Sequence, residues 1–484
     1  MTVLHRALLA CVVVASVLPA AAAAQESLTL ERAIELAQGT GRAGVAARAT
    51  RDAARFRDDA FGARFLPQLS IGGTVPRYNR AIIPVLQPDG TTLFRSQNQT
   101  EAELSATISQ RLPTGGDFFI SSSLATLQVS GTETMRTWSS TPVSFGFRQE
   151  LFRPNTYALD RRERPVRNEV AERGYVEAME NIALDVTSKF FDAYSARSTL
   201  ANAETNAAVN DTLYRLNEGR YQVGKIGEND LLQSELALLR ARTSVDGARL
   251  EFDRAMAALR LALDLPVDAP VELVVPVQVP EFAVDTALAV SQALANRSAV
   301  SQIRLEELQA RRAVGRARLE NGFGATVQAS LGFNATASEF DFAYRNLLEA
   351  RQATVSVQIP LVQWGARHAE VEAAKAELER TESEGEVALE QVEQEAHFAA
   401  RQLLQARRAL ALSAKADTVA AKRFEVAYNR YVIGRIDIDN LYVAQAEKDQ
   451  ALNQYVQALR AHWLAYYRLR QLTLYDFAEG RPIR

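Results

Sequence analysis

The chain says the same thing twice. Arg220-Tyr221-Gln222-Val223-Gly224-Lys225-Ile226 returns as Arg430-Tyr431-Val432-Ile433-Gly434-Arg435-Ile436, about 210 positions later. The same offset pairs Leu231 with Leu441, Ala248 with Ala458, and Leu259-Arg260 with Leu469-Arg470. Upstream it pairs Leu151-Phe152 with Leu361-Val362. An offset held over more than a hundred residues means two copies of one structural unit, and any fold has to accommodate both. The halves are expected at 25–275 and 276–484.

Residues 1–24 read as a secretory signal. His5 and Arg6 form a weak basic start, Leu8 to Leu18 is apolar, and Pro19 leads into an alanine-rich cleavage zone. Cleavage after Ala24 leaves Gln25 as the first mature residue. Cys11, the one cysteine, lies within the apolar run, so the exported chain is expected to have no disulfide and no cysteine-based metal site. No later stretch approaches the roughly 18 apolar residues of a membrane helix. A formal net charge of -3 argues against a nucleic-acid binder.

Two stretches are long and nearly free of helix breakers. Residues 165–218 hold no proline after Pro165 and one glycine, Gly174; residues 366–428 hold only Gly385. As helices they would run roughly 80–95 Å. Each leads into the Tyr-x-x-Gly motif and then into a second helical stretch, about 229–264 and 438–473. Asn229-Asp230 and Asp439-Asn440 are the expected N-caps of these partners. Each half is thus a long antiparallel helical hairpin with the motif at its tip. Leu231, Leu232, Leu236 and Leu239 form one apolar stripe.

Between the helices the period changes from 3.6 to 2. Val355, Val357, Ile359 and Leu361 alternate with polar residues or proline, as do Val327, Ala329, Leu331 and Phe333. In the first half Leu69, Ile71 and Val75, then Leu104, Ala106 and Ile108, then Val143, Phe145, Phe147 and Leu151 do the same. Segments of about ten residues with one apolar face are the mark of a membrane β-barrel strand. From Pro67 to Leu151 the first half carries about 47 residues more than the matching stretch of the second. Leu112-Pro113-Thr114-Gly115-Gly116-Asp117 is a strong turn signal within it, so an added hairpin is expected. The polar stretches 77–100 and 130–141 are expected to be long outer loops.

Signal peptide, strand pairs between very long helices, a twofold repeat and Tyr-x-x-Gly at each tip together resemble the TolC-type outer membrane efflux proteins. The resemblance covers essentially the whole mature chain. It implies a mainly α fold with a membrane β-barrel part: long helical hairpins form a periplasmic tunnel, and strands from three copies close one barrel. It further implies a homotrimer in the outer membrane lipid bilayer. A periplasmic adaptor would dock on the tips and link the trimer to an inner-membrane pump of RND or ABC type. The tips correspond to Tyr221, Val223, Gly224 and Lys225, and to Tyr431, Ile433, Gly434 and Arg435. Relatives often carry Leu or Thr where Lys225 and Arg435 stand, and many contribute four strands per chain where six are expected here. Acidic residues that constrict the entrance in some relatives fall near Asn440 and Val443. Carboxylates lie instead at Asp437 and Asp439, and at Glu228 and Asp230 in the other half. Threefold symmetry would make each a ring of like charge that favours cations.

Nothing in the sequence points to an enzyme or a cofactor. His368, His397 and His462 are scattered, and no nucleophile elbow or phosphate loop is present. Gly322-Phe323-Gly324 reads as a helix end entering a strand. Trp138 and Trp364 are candidates for interfacial aromatic positions, while Trp463, Tyr466 and Tyr467 are spaced for a helix core. The expected function is a passive exit duct for small molecules or metal ions. A duct for type I protein secretion uses the same architecture. A periplasmic coiled-coil scaffold without a pore is the reading from a different class.

Overall fold

The computed structural model of the protein describes residues 26–130, 134–280 and 282–483. The expected leader and its cleavage point lie outside these residues. In chain order the elements are β1 (Glu26–Thr29), α1 (Leu30–Gly39), α2 (Arg42–Ala63), β2 (Gln68–Leu86), β3 (Thr92–Arg111), β4 (Asp117–Ser130) and β5 (Thr134–Leu151). Then come α3 (Thr156–Gln222), α4 (Glu228–Ala262), β6 (Val271–Val274), α5 (Thr286–Asn296), α6 (Ser298–Glu320), β7 (Gly324–Ala337) and β8 (Leu348–Gln358). The chain ends with α7 (Ala366–Val432), α8 (Ile438–Thr473), β9 (Tyr475–Asp476) and β10 (Arg481–Pro482). Both α3 and α7 are 67 residues long, and their ends keep the 210-residue offset.

One compact unit comprises 182–280, 408–464 and the start of the chain to Gly44. Here β1 pairs in parallel with β6, Glu26 opposite Val271. Asn202 and Asn206 of α3 donate to the two carboxylate oxygens of Asp449 on α8, at 2.8 and 2.7 Å. Arg460 of α8 reaches Asp192 and Ser188, at 2.9 and 3.0 Å. Trp463, buried as expected, donates its indole N–H to the Pro276 carbonyl.

The other unit comprises 45–181, 281–407 and 465–484. It holds a six-stranded sheet in the order β2-β3-β4-β5-β7-β8, with every neighbouring pair antiparallel. The register aligns Leu69, Ile108, Ile120, Phe145 and Leu331 in one row across five strands. Leu69 is 70% exposed and Leu331 45%, so the row makes one face of the sheet apolar without being buried within the chain. Helical packing in this unit is anchored by Arg470. Its guanidinium spans Glu180 of α3 and Asp476 of β9; burial pulls its pKa down, and Glu180 with the Tyr466 hydroxyl outweighs this and holds it charged above the ordinary arginine range.

Four details differ from the sequence reading. First, 77–100 and 130–141 are not long loops: β2 runs to Leu86, β3 starts at Thr92, and β5 starts at Thr134. Backbone pairing needs no apolar side chain, and polar strand residues pair across the ladder, as Arg77 does with Glu101. The turn between β2 and β3 is only 87–91, closed by Gly90 at φ 84.

Second, α3 starts nine residues before Pro165. Asn155 caps it, its side chain accepting from the Ala158 N–H at 3.1 Å. Pro165 sits inside the helix, where it removes one backbone hydrogen bond without ending the run. Third, β8 ends at Gln358, short of Ile359, Pro360 and Leu361; proline has no N–H for the ladder. Fourth, the expected N-caps are displaced. Gly227 caps α4 without a side-chain bond, so Asn229 and Asp230 lie in its first turn; Asp439 lies in the first turn of α8.

Trp138 is not in a loop: it lies in β5 and packs edge-on against Phe340. Trp364 is 96% exposed just after β8.

Candidate functional site: the two helical tips

Each tip is a helix ending on a left-handed glycine. At the first, the Gly224 N–H donates to the Tyr221 carbonyl at 2.9 Å and the Lys225 N–H to the Arg220 carbonyl at 2.8 Å. At the second, Gly434 donates to Tyr431 at 2.9 Å and Arg435 to Arg430 at 2.8 Å. The φ angles are 72° and 73°. This paired bonding is the Schellman motif. It satisfies carbonyls the helix leaves free and reverses the chain within a few residues. A side chain at either glycine would meet open space, so the backbone conformation, not crowding, demands the residue.

The turns match but their surroundings do not. Tyr431 is 4% exposed and belongs to a core with Leu213, Ile438 and Leu441, on α3 and α8. Its hydroxyl donates to Asn217 Oδ1 at 2.6 Å. The Arg220 guanidinium lies over its ring at 5.1 Å and donates to the Tyr431 and Val432 carbonyls at 3.2 and 2.9 Å. A cation at these terminal carbonyls also suits the negative end of α7. Burial raises the Tyr431 hydroxyl above the ordinary phenol range. Burial, with Tyr431 and Asp439 nearby, pushes Tyr442 up to about 12.

Tyr221, the counterpart of Tyr431, is 43% exposed, and Val223 and Ile433 are 67% and 64% exposed. Lys225 and Arg435 are exposed beside them. The eight tip residues named from sequence therefore lie on one compact unit, seven of them at the surface and Tyr431 inside.

The candidate gate residues follow the turns. Glu228 and Asp230 occupy the first turn of α4, where carboxylates favour the positive helix end. Asp437 precedes α8 and is exposed, as are Asp439 and Asn440. Asp439 accepts from the Gln233 side chain at 2.6 Å, joining α8 to α4. Among the described residues no group of three metal-ligating side chains forms within one chain.

Sequence reasoning missed the link between the tips. Asn217 is fully buried, and only its position one turn before Tyr221, answered by Ala427 in the other half, marks it.

No protein-family model matches the chain, and no curated protein matches it in sequence. Solved structures do. The CmeC outer membrane channel of Campylobacter jejuni is similar with a TM-score of 0.68, at 15% identity over 94% of this chain and 87% of that one. The outer membrane protein VceC of Vibrio cholerae gives 0.67, at 14% identity over 94% and 97%. The open state of the MtrE outer membrane channel of Neisseria gonorrhoeae gives 0.62, at 14% identity over 92% and 88%. The chain has the fold of the TolC-type outer membrane channels, as its motifs suggested.

Proposed function

We propose that the protein is the outer-membrane duct of a tripartite exporter. Three copies close their sheets into one barrel, and the helical hairpins form a tunnel in the periplasm. A periplasmic adaptor docks on the exposed tip residues and connects the duct to an inner-membrane pump of RND or ABC type. Small molecules or metal ions then pass through without bond-making chemistry.

The observation that carries this reading is the pair of identical turned tips on helices of equal length, in a chain that also folds a six-stranded sheet. The sheet has two open edges, β2 and β8, which a bilayer does not tolerate. Its exposed apolar row suits lipid. A scaffold without a pore has no use for such a sheet.

The test is single-channel conductance of the purified protein in a planar bilayer. Discrete, long-lived, small steps support a mostly closed duct; folded protein that never inserts refutes it. Six strands per chain also support a second reading, a duct for secreted polypeptide. Eighteen strands in a trimer enclose a wider lumen than twelve. Exclusion of polymers of graded size from the open pore separates the two bore widths.

A further inference from the structure

The helices that join the sheet carry cations beside it. Arg57 lies near the end of α2 and Arg64 just after it, Arg162 near the start of α3, Arg316 and Arg318 at the end of α6, and Arg367 at the start of α7. All six are exposed. The chain as a whole is slightly acidic, at -3, so this basic collar is a local feature. Exposed apolar residues separate it from the sheet. Leu66, before β2, is 62% exposed; Phe152 and Phe323, 61% and 43% exposed, pack on one another beside the ends of β5 and β7. Trp364 takes the same place after β8.

One part of the collar is hollow. A groove of about 440 Å³ lies between the start of α3 and the end of α6. It begins close under the sheet, at Pro154 just past β5 and at Leu319 just before β7. Ala158, Leu159 and Leu308 continue its apolar lining. Its charged lining is Arg162, Arg311, Arg312 and Arg316 against a single carboxylate, Glu163. Arg312 is engaged, donating to Asp160 and Glu163 at 2.6 and 2.9 Å. Arg311 and Arg316 are held in exposed pairs, to Glu307, Glu382 and Glu320, which cost little to exchange. Arg162 has no carboxylate partner among the described residues.

We propose that this groove seats an anionic phospholipid of the leaflet that faces the periplasm. The phosphodiester sits on Arg162, Arg311 and Arg316, and an acyl chain runs past Leu319 towards Phe152, Phe323 and the apolar face of the sheet. Read away from the sheet, the order is apolar face, aromatic pair, cations. A leaflet offers acyl chain, interface and phosphate in that same order. A guanidinium also presents a fork that takes two phosphate oxygens at once. Free phosphate has no use for the apolar lining, and a lipid without net charge gains little from the cations. An acidic polypeptide would match the cations but not their continuity with a lipid-suited face. This deepens the proposed function and rests on it for which leaflet lies beside the groove; the binding itself does not depend on conduction.

The test uses the full chain in detergent, with native mass spectrometry comparing phosphatidylglycerol and phosphatidylcholine of the same acyl chains. Retention of phosphatidylglycerol is expected to exceed that of phosphatidylcholine about tenfold. Arg162→Gln with Arg316→Gln is expected to abolish the preference with helical content kept. Arg240→Gln with Arg408→Gln, exposed cations of the other compact unit, is expected to leave it intact. Equal retention of the two lipids overturns the site, as does an equal loss in the control pair. Displacement by inorganic phosphate, but not by chloride at the same ionic strength, would reduce the groove to a site for a free anion. Displacement by polyglutamate in the same comparison would make it a site for acidic protein. Either result overturns the proposal. Lipid preference without conductance removes the duct and leaves the groove standing; conductance without preference removes the groove alone.

Discussion

The two tips share a motif, a hydrogen-bond pattern and a glycine conformation, yet one tyrosine is buried and the other is not. The turn depends on a few consecutive residues, so duplication preserved it. The environment depends on residues elsewhere, and there the repeats differ: Asn217 is answered in sequence by Ala427, and Leu213 by Arg423. The buried tip is held by groups from the other repeat, whereas Tyr221 at the other tip lies at the surface.

The sharpest way to break this asymmetry is to remove Arg220. It makes two charge-assisted bonds to the end of α7 and covers the Tyr431 ring. Arg220→Ala is expected to cost about 2 kcal/mol locally. That is roughly a thirtyfold faster amide exchange through the last turn of α7. Arg430→Ala, in the equivalent place, should leave exchange within a chain unchanged. Equal effects from both would mean that the two tips are held alike.

Asn217→Ala acts on the same link with a smaller reach. It leaves the buried Tyr431 hydroxyl without its acceptor, a loss of about 1–2 kcal/mol. Adding Tyr431→Phe should restore much of it, since neither polar group then stays unpaired. If the double variant is as loose as the single one, the hydrogen bond is not what Asn217 supplies.

The difference between the tips also sets how much of the molecule is legible in sequence. The long helices, the hairpins, the turns and the added strands are readable because each is written locally, in period, breakers and a glycine motif. Strand length is not. The stretch 77–100 is polar and reads as a loop, although pairing continues through it. Pro165 reads as a helix start, although Asn155 supplies the cap. The tip link was invisible because Arg220, Asn217 and Tyr431 meet only after two repeats pack together. Chemistry at such a joint has no sequence period.

Alkaline pH is expected to loosen the buried tip. Tyr442, at about 12, stays protonated in the folded chain above 10.0, the ordinary value at which an unfolded phenol ionises. Tyr431 is raised in the same direction. The unfolded state therefore loses protons first, and stability is full below pH 10 and falls as pH rises towards 12. Tyrosinate absorbance of a Tyr442→Phe variant should lack the latest-titrating part of the curve near this tip. Loss of amplitude near pH 10 instead of near 12 would refute the assignment.

The smallest structural effect is expected from the acidic residues beside the second turn, and there function and stability come apart. Asp437 and Asp439 are exposed, and Asp439 gives up the Gln233 contact when truncated. Asp437→Ala with Asp439→Ala should shift stability by no more than about 0.5 kcal/mol per site. In a closed ring of copies, however, each carboxylate recurs around the axis. Like charges so arranged act on passing ions jointly, and removing them lowers the preference for cations. Conductance and reversal potential in a salt gradient read this directly: higher resting conductance and weaker cation preference are expected. The same change at Glu228 and Asp230 calibrates the comparison between tips. Were both measures unchanged by the Asp437 and Asp439 pair, these carboxylates would be solvated turn residues and the constriction would lie elsewhere.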